Sequence, residues 1–171
     1  LACKYCNTRK SNKTTSENKN DYLWPDENNT ELAYTYAGGI PRVNSPILLE
    51  LDPSGNIAQK AEKLFELVEL GNIPAPKDKD RRFKQRIETY ASARISLKKW
   101  KKLKETEYKE DSKELIAEIV RSKGFFSVWL EVFKDEPEIK NMLFDIFPGT
   151  ETRFFDADGN VRPILHVEEL E

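Results

Sequence analysis

Three features of the chain predict a mainly α protein, with a small N-terminal hairpin followed by a bundle of about five helices. Apolar residues recur at helical spacing from Ile57 onward, and Gly or Pro punctuates the spacing at Gly71, Gly124, Pro137 and Pro148. Ahead of that point the chain is polar and broken by Pro25, Gly38, Gly39, Pro41 and Pro46. Nine Phe, six Tyr and three Trp among 171 residues supply a core, and a 34% charged fraction supplies a solvated surface.

Each element follows from local pattern. LAYTY at 32–36 favours strand, and AGG then IPRVN gives a turn and a return strand. DPSGN at 52–56 is a turn or helix entry. The next segment, IAQKAEKLFELVEL, places apolar residues at 57, 61, 64, 65, 67, 68 and 70 and stops at Gly71, which predicts a helix. NIPAPKDKD cannot continue it, because two prolines interrupt it, so it reads as a linker. A long helix is predicted from Asp80 to Lys104, with Phe83, Ile87, Tyr90, Ala91, Ile95, Leu97 and Trp100 as a narrow buried stripe. Asp111 or Ser112 is a suitable N-cap for a helix running to Gly124. FFSVWLEVFKD reads as a buried helix, and Pro137 opens a last one that Pro148 and Gly149 end. Asp158, Gly159 and Asn160 form a tight turn in the tail.

The net charge of −2 conceals an asymmetry. Residues 1–20 hold five Lys or Arg against Glu17 alone, and residues 81–104 hold ten against Glu88 alone. From Glu105 onward seventeen acids face eight bases. Two segments can therefore offer a positive face to a polyanion, the longer being the helix over 81–104, where Tyr90 and Trp100 are interleaved with the bases. The competing reading is a solvated helix face that pairs with the acidic last third. No run of apolar residues is long enough for a membrane span and no basic-then-apolar leader opens the chain, so the expectation is a cytoplasmic protein with no membrane partner. The start at Leu1 without Met and the Leu170-Glu171 ending suggest a fragment of a longer protein.

LACKYCNTRKSNK contains both cysteines, Cys3 and Cys6. A Cys-x-x-Cys turn brings two thiolates to one Zn²⁺, and tetrahedral zinc needs two more ligands. His166, the sole histidine, is a remote candidate at the other end of the chain. A disulfide is disfavoured in the cytoplasm, and a thioredoxin-like role lacks its strand–turn–helix context. Asp156-x-Asp158-Gly-Asn resembles the start of a calcium loop but lacks the closing Glu, and so reads as a turn. Trp24, in a Trp-Pro-Asp-Glu turn, reads as a buried anchor for the N-terminal piece. There is no phosphate-cradling glycine loop, and no Ser or Cys has a His near in sequence.

The same thirteen residues resemble the closing half of HNH endonuclease motifs, L-x-C-x-x-C-[HN]-x-x-K. DYLWPDENNTELAYTY resembles the Trp-Pro-Asp-Glu-x-Asn-Thr stretch of one bacterial branch of that family. RRFKQRIETYASARISL, GFFSVWLEVF and FPGTETRFFDADGNVRP resemble the branch's C-terminal helical extension. The resemblance implies a ββα-type remnant within residues 1–50 and a C-terminal helical domain over 51–171. It implies one divalent metal, Mg²⁺ or similar, with Asn7 at the final-ligand position of an HNN form. Cys3 and Cys6 match the second half of a structural Zn²⁺ site, and Arg9 and Lys10 would face the phosphate backbone. The histidine base, the upstream metal ligand and the first cysteine pair would precede residue 1. The expected function is therefore the C-terminal portion of an HNH-type endonuclease, hydrolysing nucleic-acid phosphodiester bonds with one divalent metal and inactive as this chain, the divalent metal and the structural Zn²⁺ being expected only with the upstream half present. The family's roles in phage defence imply DNA and a protein such as an ATPase as partners. The alternative is a non-enzymatic module that binds nucleic acid or protein through the 81–104 helix, with Lys98, Lys99, Lys101 and Lys102 as its contacts. A third reading is a purely structural assembly domain.

Overall fold

The computed structural model describes residues 4–25 and 27–170, with no side chain described at Lys4, Tyr5 or Asn7. Helices dominate it, and its one sheet among the described residues is a two-stranded hairpin, as the sequence predicts. Strand β1 (Tyr34–Ala37) and strand β2 (Ile40–Val43) are joined by Gly38 and Gly39. Both glycines have positive φ, 63° and 83°, the backbone that a two-residue hairpin loop requires. At Gly39 a Cβ would lie 2.8 Å from the Arg86 carbonyl oxygen, so no other residue fits without moving backbone.

Two compact units divide the chain. The first comprises residues 1–37, 41–83 and 161–171, and the second comprises 38–40 and 84–160. In the first unit α4 (Asn56–Leu67) buries a stripe of Ile57, Ala58, Ala61, Leu64 and Leu67. Ile57, Ala58 and Ala61 share one core with Leu23, Leu32, Ala33, Leu48 and Leu165. The helix is started by Asp52, whose carboxylate accepts hydrogen bonds from the Ile57 amide at 2.9 Å and the Ser54 hydroxyl at 2.6 Å. Short helices α1 (Lys4–Lys10), α2 (Thr30–Ala33) and α3 (Ser45–Leu51) complete this unit.

The C-terminal tail closes the first unit on itself. Asn29 donates its amide N–H to the Leu165 carbonyl at 2.9 Å and its side-chain NH₂ to the Ile164 carbonyl at 3.1 Å. Asn28 Nδ2 lies 2.9 Å from His166 Nδ1, so the only histidine has a structural partner. No short-range pattern announces a pairing across so much chain.

The second unit holds α5 (Arg82–Leu103) from residue 84, α6 (Lys109–Lys123), α7 (Phe126–Val132) and α8 (Pro137–Ile146). Its core joins Ala93, Trp100, Ile116, Ala117, Val120, Trp129, Phe133, Ile139 and Leu143. α6 begins two to three residues before the expected cap, so Ser112 is a buried helical residue and Glu110 and Asp111 sit in the first turn. Acids there favour the positive end of the helix dipole. Pro137 opens α8, as its fixed φ and missing N–H dictate. No helix among the described residues is long and apolar enough to cross a membrane.

Candidate functional site

The motif segment forms α1, and two arginines tie it down within the first unit. Arg82 is buried, with 5% of its side chain exposed, and grips Asp80 from Nη2 at 2.7 Å and from Nε at 3.1 Å. Its Nη1 donates to the Val68 carbonyl and to Cys6 Sγ, each at 3.0 Å. The hydrogen bonds from Arg82 hold the Asp80 carboxyl below the usual carboxylate range, against the opposing effect of burial. Arg9 reaches Glu69 at 3.2 Å and Asp78 at 3.4 Å. Lys10 Nζ sits 5.0 Å from the centroid of the Trp24 ring, a cation–π distance. Trp24 itself is half-buried, its indole N–H donating to the Lys19 carbonyl at 2.7 Å. The residue fully buried beside it is Leu23.

These placements bear on each motif residue. Cys3 and the side chain of Asn7 lie outside the described residues. Cys6 Sγ faces a guanidinium, where a zinc ligand would need room for a second cation. Among the described residues no three His, Cys, Asp or Glu side chains gather closely enough to hold a metal ion. Arg9 is engaged by two carboxylates, whereas Lys10 lies over the Trp24 ring.

The calcium-loop lookalike has an internal occupant. Asp156 accepts the backbone N–H of Asp158 at 2.9 Å and of Asn160 at 2.8 Å, and the Asn160 side-chain amide at 3.0 Å. Those bonds hold its carboxyl low. Lys140, only 2% exposed, donates Nζ to Asn160 Oδ1 at 2.6 Å. The turn's carboxylate is thus taken up by its own amides and its Asn160 Oδ1 by Lys140, and the reading as a turn stands.

The ten bases of 81–104 separate into three groups. Arg82 and Arg86 are buried. Lys104 is 2.9 Å from Glu136, and Lys84 is 3.7 Å from Glu88. Arg81, Arg94, Lys98, Lys99, Lys101 and Lys102 are exposed, and none of them forms an ion pair among the described residues. Lys98 stands four residues after Arg94 and three and four before Lys101 and Lys102, so the four occupy one outer strip of the helix. Lys99 turns away from that strip, into a groove with α6. Arg94 belongs to the strip although the residue pattern did not single it out; its spacing from Lys98 was the available signal.

The buried stripe of α5 differs from the expected one. Ile95 is 61% exposed and Ile87 37%, while Arg86, Thr89, Ala93, Ser96 and Trp100 are buried. The core side of this helix is thus small and polar, with Trp100 as its anchor. Its indole N–H donates to Glu136 Oε2 at 2.9 Å, the oxygen that also accepts from Lys104.

No family profile, curated protein or solved structure matches this chain. What the fold and the site define is a class only, a mainly helical protein carrying an exposed cationic helix.

Proposed function

We propose that this chain binds nucleic acid along the outer strip of α5, as the helical portion of an HNH-type endonuclease whose catalytic histidine would be supplied by residues ahead of Leu1. The observation that supports the binding role is the row Arg94, Lys98, Lys101 and Lys102, exposed and without carboxylate partners among the described residues on a helix of 22 residues. Cations already paired within a protein gain little from phosphate. Unpaired ones gain the release of condensed counterions, a salt-dependent drive that requires no base readout. The endonuclease context rests on the sequence resemblance alone.

Fluorescence anisotropy with duplex DNA at several salt concentrations tests the binding role. The triple variant K98E/K101E/K102E is expected to weaken binding and to reduce the slope of log affinity against log salt by about 3, roughly one for each phosphate no longer neutralised. An unchanged affinity and slope would remove nucleic acid from the reading. A plasmid-nicking assay with Mg²⁺ is expected to show no cleavage by this chain, because the described residues supply no general base beside a metal site.

A further inference from the structure

Between α5 and α6, wholly within the second unit, lies an open groove of about 520 Å³. Ser92, Ser96 and Ser112 line it, and their small side chains leave its depth unfilled. On its rim Ile95, Tyr108 and Leu115 are 61%, 54% and 48% exposed. A single exposed apolar residue needs no explanation, but three lining one groove make a patch that water wets poorly. The groove's two walls differ in charge. Lys99 projects from α5 and Asp111 from α6, and neither is paired across the groove nor with any other described residue. Lys99 is four residues before Leu103 and Asp111 three after Tyr108, so the two stand level on either side of the short connection between the helices.

That arrangement is complementary to itself. Turning a copy by 180° about an axis along the groove exchanges the walls while keeping each level in place. Lys99 of one copy then meets Asp111 of the other, twice over, and the apolar rims meet between them. A rotation axis across the groove would instead set Lys99 against Lys99. We infer that the groove is a self-association face, and that its occupant is a second copy of this chain docked groove to groove about a two-fold axis parallel to α5 and α6. Both walls are short, about 16 Å each at 1.5 Å per residue. The interface is therefore small, and the dimer belongs to the weak class with dissociation constants in roughly the micromolar range. Nucleic-acid binding plays no part in this association, and the strip of Lys98, Lys101 and Lys102 is left out of its test.

Sedimentation equilibrium of the whole chain, at about 5–500 μM to bracket a weak association, tests it. A monomer of 19.9 kDa should pass to twice that mass as concentration rises. Ile95→Asp and Leu115→Asp should each weaken association roughly tenfold or more by placing a charge in the buried seam. Lys99→Asp alone and Asp111→Lys alone should also weaken it, and the two together should restore it, since the exchange rebuilds both pairs. All four positions are exposed, so helical circular dichroism should be unchanged in every variant. A chain that stays monomeric throughout, or a double exchange that fails to restore the dimer, would overturn the inference. Loss of the dimer with DNA binding intact, or the reverse, separates self-association from nucleic-acid binding.

Discussion

Asp80 and Arg82 show how a few residues organise the first unit. Their carboxylate and guanidinium are both nearly excluded from water, and the guanidinium directs its remaining donors to the Val68 carbonyl and Cys6 Sγ. Removing one partner of such a pair leaves the other charged, buried and short of acceptors. Asp80→Asn should therefore cost about 3 kcal/mol at neutral pH, read by urea denaturation. The depressed Asp80 pKa sets the sign of the pH dependence. Its contribution is present above the unfolded value near 4 and is lost as pH falls through the lower folded value, so the deficit of the variant should shrink in acid. A deficit of equal size at both pH values would show that the pair's charge is not what matters. Lys140 follows the opposite logic, burial pulling its pKa below the ordinary lysine value while Asp156, Asp158 and Asp135 hold it up. It is accommodated because Gly159 leaves room. A Cβ there would lie 2.9 Å from Lys140 Cβ, on a backbone with φ of 69°.

At the scale of the element, α5 is held by its polar side. Trp100 is 1% exposed and Glu136, at the entry to α8, is 6% exposed, so the indole N–H has no water to turn to. Glu136→Ala should leave it without an acceptor and cost about 1–3 kcal/mol, while Glu136→Gln, which keeps an oxygen in reach, should cost less. Thermal denaturation of the two variants side by side checks this. Equal losses would show that packing around Glu136, not the hydrogen bond, anchors the helix. The exposed residues of α5 lie away from that side. Bases that internal pairs would neutralise stand outward at Arg94, Lys98, Lys101 and Lys102, and Ile95 stands at a groove.

At the scale of the molecule, the second unit is nearly continuous in sequence and carries its own core, from Ala93 to Leu143. The first draws together three stretches, the last being the tail that pairs with Asn28 and Asn29. A polypeptide of residues 84–160 should therefore fold alone, giving a helical circular dichroism spectrum and a cooperative melt. A non-cooperative melt would show that this core is insufficient without Gly38, Gly39 and Ile40. Truncating the tail after Asn160 removes Leu165 from the first core and the acceptors that satisfy Asn29.

Local sequence alone determined the elements that depend on neighbours along the chain. Gly38 and Gly39 specify the hairpin turn, Pro137 the start of α8, Gly124 the end of α6, and the spacing from Ile57 to Leu67 the buried face of α4. Tertiary structure decided what depends on residues far apart. It buried Arg86, Thr89 and Ser96 while exposing Ile95, matched Asn28 with His166, and set Arg82 against Cys6. It also separated Lys99 from Lys98, Lys101 and Lys102. Periodicity reports only that a helix has an apolar side; which side is covered depends on what packs there. On α5 the balance is fine, because Trp100 anchors a core side otherwise made of small and polar residues, and the isoleucines are left at the surface.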